Sequence, residues 1–202
     1  MTQFQQLQEL ISGKLEKELP GHLSYHNIDH TTDVMQAVAL IGDIEGIDEK
    51  NRRLLLTAAL FHDAGFLVGR EEHENASCNI AIQYLPGFGY QPAEIEAICN
   101  MIMATRIPQS PQNHLEEILC DADLDYLGRD DFFMLSSRLF TELQAENIVK
   151  DEEEWNMQQA DFMGGHRYFT ETSINLREVK KEQYVKLIKS KISNKIFNEN
   201  IS

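Results

Sequence analysis

Two histidines lie four residues apart with an aspartate between them, as His26, Asp29 and His30 in YHNIDHTTDV (25–34). If this stretch is helical, one turn separates the imidazoles and both leave the same face. His62-Asp63 closes the apolar run LLLTAALF (54–61), where an ionised carboxylate is costly to bury unless something pairs with it. ILCDADLDYLG (118–128) repeats the pattern, with Asp121 and Asp123 set among Ile118, Leu119, Cys120 and Leu124. Singly, a buried histidine is usually a hydrogen-bonded core residue, and a helix-end aspartate is usually a cap. Jointly, His30, His62, Asp63 and Asp123 offer two neutral nitrogens and two carboxylates, which suits Zn, Fe or Mn and suits soft metals poorly. A divalent metal would compensate several buried polar groups at once, so these residues are expected to form a metal site.

Helices have to carry these residues. Phe4, Leu7, Leu10, Ile11 and Leu15 recur at intervals of three and four and stop at Pro20-Gly21. The same periodicity predicts helices over roughly 30–45, 49–63, 74–85, 92–105, 114–127, 130–145, 151–172 and 176–196, with Pro, Gly and Asn between them. Two-residue alternation of strand-forming residues does not persist anywhere. The expectation is an all-α fold, a compact single-domain array of about nine helices over residues 1–202. A chain of 202 residues with 42% hydrophobic content is enough for one sizeable core.

A formal net charge of −15 argues against nucleic-acid polymers and anionic membranes as partners, because both attract basic faces. A small phosphate-bearing substrate stays open if metal cations reverse the local field. There is no run of 18 apolar residues, and the N-terminus lacks a basic start followed by an apolar block, so a cytoplasmic location is expected. Cys78, Cys99 and Cys120 are odd in number and set among apolar neighbours, which reads as reduced, mostly core thiols. KDEEEW (150–155) reads as the solvated first turn of a helix, and the lysines around Tyr184 and Leu187 as an amphipathic final helix.

The order His30, His62-Asp63, Asp123 resembles that of the HD superfamily of metal-dependent phosphohydrolases. YHNIDHTTDV is similar to the Y-H-N-x-x-H-x-x-D-V signature of the 3′,5′-cyclic nucleotide phosphodiesterase catalytic domain. MIMATRIPQS (101–110), CDADL (120–124) and QQADFMGGH (158–166) resemble that family's L-A-T-D-M, A-D-L-S and Q-x-x-F segments in the same order, so the likeness runs from about residue 25 to 172. The resemblance implies that His30, His62, Asp63 and Asp123 hold one tight ion and that Asp63 bridges to a second, weaker one, Mg or Mn. It further implies that His26 protonates the leaving oxygen while a bridging hydroxide attacks in line. The alternative for His26 is a helix-start histidine bonded to Asn27 or Asp29.

Departures from that pattern limit the substrate assignment. HDAGFLV puts Phe66 where the family has a second histidine, and Arg106 stands in place of the aspartate of L-A-T-D-M. His73 and Glu74 could supply the missing second-metal or outer group, or could simply cap a helix. Asp121 could be an outer partner or a surface carboxylate. Tyr25, Arg106, Gln159, Phe162 and His166 are the substrate-binding candidates. Helical spacing puts Gln159, Phe162 and His166 on one face with Trp155 a turn back, where amide and ring would read and stack a base. The alternative has Trp155 and Phe162 in the core, Gln159 solvated and His166 in the interior. The expected function is hydrolysis of a small phosphoester, a nucleotide or cyclic nucleotide or another phosphorylated metabolite. A di-iron oxygenase and a non-catalytic regulatory module are the rival classes, and homo-oligomerisation is open.

Overall fold

The structure, a computed structural model, describes the backbone of residues 1–199 and the side chains of residues 1–193. Among the described residues there is no strand, and nine α-helices run to ten residues or more. They are α1 (Gln3–Glu18), α2 (Ile28–Ile44), α3 (Glu49–Phe61), α4 (His73–Tyr84), α5 (Pro92–Ala104), α6 (His114–Asp123), α7 (Phe132–Ala145), α8 (Glu152–Gly165) and α10 (Val179–Glu199), with a three-residue turn, α9 (Glu171–Ser173), before the last. The helices start where side chains can satisfy their first amides. Asn27 Oδ1 accepts from the amides of Asp29 at 2.9 Å and His30 at 3.4 Å, Asp48 caps α3 through Asn51, Asn113 caps α6, and Asp151 caps α8 through Glu154. Each such cap is worth about 1 kcal/mol. No described helix is long and apolar enough to cross a membrane.

The chain divides into two compact units, Met1–Leu124 and Asp125–Ser202. In the first, α3 packs against α2, α5 and α6 and also meets α1 and α4. Its apolar residues Leu54, Leu55, Ala58, Ala59 and Phe61 share a core with Leu7 and Ile11 of α1, Val34 and Val38 of α2, Ile98 and Ile102 of α5, and Ile118 and Leu119 of α6. Small residues at 58 and 59 let neighbouring helices approach closely, so the polar C-terminal end of α3 is delivered deep into this unit. Cys78 and Cys120 are buried, whereas Cys99 is only half-buried.

In the second unit α10 packs along α8, and Phe132 of α7 stacks on Tyr184 with ring centroids 4.8 Å apart. Two predicted helices are shorter than expected. The one predicted over 114–127 ends at Asp123, and the chain tightens into a 3₁₀ turn at Asp125–Gly128. There Arg177 grips the Asp125 carboxylate at 2.6 and 3.1 Å, and a Cβ on Gly128 would lie 2.4 Å from the Arg177 carbonyl oxygen, so tertiary contact outweighs local helix preference. The helix predicted over 151–172 stops at Gly164-Gly165, which weaken it, and His166 turns extended. The lysine-rich α10 buries Tyr184 and Ile188 and takes one lysine inside with them: Lys181 is 2% exposed, its ammonium donating to the His166 carbonyl at 2.7 Å and to Glu178 at 3.0 Å.

A candidate metal site in the first unit

Three chain segments converge at the inner end of α3. His30 sits in the first turn of α2, His62 is the C-terminal cap of α3 with Asp63 just beyond it, and Asp123 is the last residue of α6. The Nε2 atoms of His30 and His62 and a carboxylate oxygen of Asp123 all lie within 4.8 Å of one another. His30 Nε2 is 3.3 Å from His62 Nε2, 3.2 Å from Asp123 Oδ1 and 3.4 Å from Asp63 Oδ2. His62 Nε2 is 3.3 Å from Asp63 Oδ2 and 3.5 Å from Asp123 Oδ1. Atoms bound tetrahedrally at about 2.1 Å from one ion lie roughly 3.4 Å apart, so the spacing fits a first-row divalent metal.

The donor chemistry fits too. His62 Nδ1 is 2.8 Å from the Ala59 carbonyl, which can only accept, so in the neutral ring Nδ1 carries the hydrogen and Nε2 presents its lone pair to the cluster. With His62 neutral, His30 Nε2 is the one atom of this group able to donate. Asp63 Oδ2 is buried without a hydrogen bond, close to both ring nitrogens but aligned with neither. A site with this surplus of acceptors calls for positive charge. Burial alone disfavours charge on His30, yet the adjacent Asp123 and Asp63 carboxylates prevail and raise its pKa to about 9. His62 is likewise raised, against burial, by the Asp63 charge and by Asp123. Asp63 is held well below the usual carboxylate range, where His62 and His30 outweigh burial, and Asp123 falls to about 2 for the same reason. The carboxylates thus pull protons onto the imidazoles, and a divalent cation can take the place of those protons.

The backbone of this corner is fixed from α4. Ser77, buried in α4, accepts from the Gly65 amide at 2.7 Å and donates to the His62 carbonyl at 2.7 Å. Gly65 itself has no room for a side chain, because a Cβ there would lie 1.9 Å from the His73 carbonyl oxygen. That close approach puts the start of α4 beside Asp63. His73 Nδ1 donates to the Arg70 carbonyl at 3.0 Å, which leaves Nε2 3.5 Å from Asp63 Oδ1 and 3.4 Å from Glu74 Oε1. The two oxygens of Asp63 therefore face different partners, Oδ2 toward His30 and His62 and Oδ1 toward His73.

His26 precedes the α2 cap and lies flat on Phe66, with ring centroids 4.4 Å apart and an interplanar angle of 17°. Tyr25, buried, packs its ring 4.7 Å from His30 and 4.8 Å from His26. Asp121 is fully buried, which removes the surface-carboxylate alternative. Arg106 is exposed and forms an ion pair with Glu72. The roles of Gly65 and Ser77 were not read from the sequence. HENAS carried a signal for Ser77, a hydroxyl one helical turn after His73.

Gln159, Phe162 and His166 belong to the second unit. Gln159 is buried, its amide bonded at 2.5 Å to Ser136, which also receives the Trp155 indole at 3.3 Å. Phe162 is 36% exposed, and the half-buried His166 is approached at 3.2 Å by Lys181. The segment thus inverts one half of the alternative reading, since the glutamine is interior and the phenylalanine reaches solvent.

A model of the HD domain family matches residues 27–125, the stretch that contains His30, His62, Asp63 and Asp123. Over that stretch, just under half of its length, the chain is similar to the HD domain family. Its fold is similar to that of a predicted HD superfamily hydrolase from an uncultured Thermotogales bacterium, at 20% identity and a TM-score of 0.61, covering 94% of this chain and 91% of that one. It is also similar to a structure from Lactobacillus plantarum, at 16% identity and a TM-score of 0.63, covering 94% and 98%. No curated protein matches the sequence. The HD pair itself is His62-Asp63, and the match begins at Asn27, the residue that caps α2.

Proposed function

We propose that the chain is a metal-dependent phosphohydrolase acting on a small phosphoester, with a nucleotide, cyclic nucleotides included, as the substrate class. The observation that carries this reading is the convergence of His30 Nε2, His62 Nε2, Asp63 Oδ2 and Asp123 Oδ1 at mutual spacings of 3.2–3.5 Å between nitrogens and oxygens, with Asp63 Oδ2 lacking any hydrogen bond. These four residues would hold Zn, Fe or Mn. Asp63 Oδ1, His73 and Glu74 would hold the weaker ion, Mg or Mn. When bound, such ions polarise a phosphoryl group and lower the pKa of water toward neutrality.

The chain's own residues supply the rest. Asp63 ties the two positions together through its separate oxygens. His26, stacked on Phe66 beside the cluster, protonates the leaving oxygen. The Ala59 and Arg70 carbonyls hold His62 and His73 in the tautomers that aim Nε2 inward. The net charge of −15 goes with a small substrate held through metal rather than a nucleic-acid polymer or a membrane, and the free thiols go with a cytoplasmic setting. The test is hydrolysis of bis(p-nitrophenyl) phosphate and of a nucleotide panel by metal-loaded protein, with Asp63→Ala as control. Turnover in the parent and none in the variant is expected. Parent protein that binds iron and consumes oxygen, or that binds metal and turns over no phosphoester, would instead point to the oxygenase or the regulatory module.

A further inference from the structure

We propose that Phe66 is a positioning residue, whose ring, clamped between the imidazoles of His26 and His73, sets both of them at the Asp63 carboxylate. The inference rests on the functional reading above and adds a residue that cannot itself ligate metal or carry a proton. Phe66 is buried, and its ring centroid lies 4.4 Å from that of His26 and 4.4 Å from that of His73, with interplanar angles of 17° and 34°. Two rings so nearly parallel to a third, at that distance, have no room side by side on one face. They flank it, so the phenyl ring is the spacer that keeps the two imidazoles apart.

The spacer is anchored. Phe66 lies in the 3₁₀ turn Ala64–Leu67, its amide donating to the Asp63 carbonyl at 3.1 Å, next to the Gly65 amide that Ser77 holds at 2.7 Å. The Arg70 guanidinium lies 5.0 Å from the same ring, and the Arg70 carbonyl takes the His73 Nδ1 hydrogen. His26 precedes the helix cap, so no helical turn fixes its backbone, and the edges of Tyr25 and His30 at 4.8 and 5.9 Å meet it roughly perpendicularly. The broad face of Phe66 lies nearly parallel to the His26 ring and so holds it in that plane. A proton donor displaced by about 1 Å can cost on the order of 10²-fold in rate.

The test compares Phe66→Leu and Phe66→Met, which keep most of the volume, with Phe66→Tyr, which keeps the ring. Three readouts are taken: metal content, kcat and KM on bis(p-nitrophenyl) phosphate, and the carbon-bound ring protons of His26 and His73 in NMR spectra of the folded protein. In the parent those protons are shifted upfield by the phenyl ring current. Phe66→Leu and Phe66→Met should keep the tight metal and a KM within about twofold, lose roughly 10- to 100-fold in kcat, and lose the upfield shift. Phe66→Tyr should restore both shift and kcat. Parental kcat in either aliphatic variant, or a folded Phe66→Tyr that recovers the shift without kcat, would overturn the positioning role. Unshifted His26 and His73 protons in the parent would refute the sandwich itself. Parent protein without hydrolysis, its shifts intact, would refute the functional reading and the catalytic half of the proposal with it.

Discussion

Ser77→Ala removes the hydroxyl that holds the HD turn to α4. In the parent that hydroxyl both accepts from the Gly65 amide and donates to the His62 carbonyl, each at 2.7 Å, in a position with no solvent exposure. Alanine adds no bulk, so the change leaves one buried amide and one buried carbonyl unsatisfied. At about 1–3 kcal/mol for each such group, the loss is about 2–6 kcal/mol. In a chain of this length each kcal/mol lowers Tm by roughly 2–4 °C, so a drop of at least about 4 °C is expected. The effect should reach the metal, because His62 and Asp63 flank the released peptide. Differential scanning fluorimetry, together with metal retention against a graded chelator series, reads both consequences. A Tm within about 1 °C of the parent, with metal retention unchanged, would show that the turn does not depend on Ser77 and would remove the stated reason for the placement of Asp63.

Other outcomes follow from the same geometry. His26→Ala should keep metal and lose on the order of 10²–10⁴-fold in turnover, whereas His30→Ala should lose the metal; equal metal loss in both would make His26 a ligand. In metal-free protein the His30 pKa, raised to about 9 from an unfolded value near 6.5, contributes stability that is complete below about pH 6.5 and is lost as pH rises through about 9. The size is on the order of 3 kcal/mol, so Tm of chelator-treated protein should fall across pH 6.5–9 while that of metal-loaded protein does not, and parallel curves would contradict the cluster electrostatics. Phe162→Ala should raise KM for a nucleotide and leave turnover of the small aryl phosphodiester nearly unchanged; parallel loss on both would assign Phe162 to packing.

The all-helical architecture was legible because apolar residues such as Leu7, Ile11 and Leu15 repeat at helical spacing and all three are buried. The candidate cluster was legible because His62-Asp63 ends an apolar run and Asp123 lies within another, positions where polar side chains need a partner. What surrounds the cluster was not legible. The contact of Phe66 with His26 joins residues forty positions apart, and no local pattern encodes it. Nothing in the local sequence marks Gly65, whose identity is dictated by the His73 carbonyl packed against it. The helix ends at Asp123 and Gly165 were missed because a buried Asp125–Arg177 pair and an extended His166 decide them, contacts that periodicity does not record. Residue type does not signal that Lys181 and Gln159 are interior, the first held by the His166 carbonyl and Glu178 and the second by the Ser136 hydroxyl.

The central claim is that one metal ion is held by His30, His62, Asp63 and Asp123. Anomalous diffraction from crystals of the metal-loaded protein, collected at the Zn, Fe and Mn absorption edges, tests it most directly. The account predicts a peak about 2.0–2.2 Å from the Nε2 atoms of His30 and His62 and from Asp63 Oδ2 and Asp123 Oδ1. A peak on other residues, or those four side chains closed into imidazolium–carboxylate pairs with no peak between them, would contradict it.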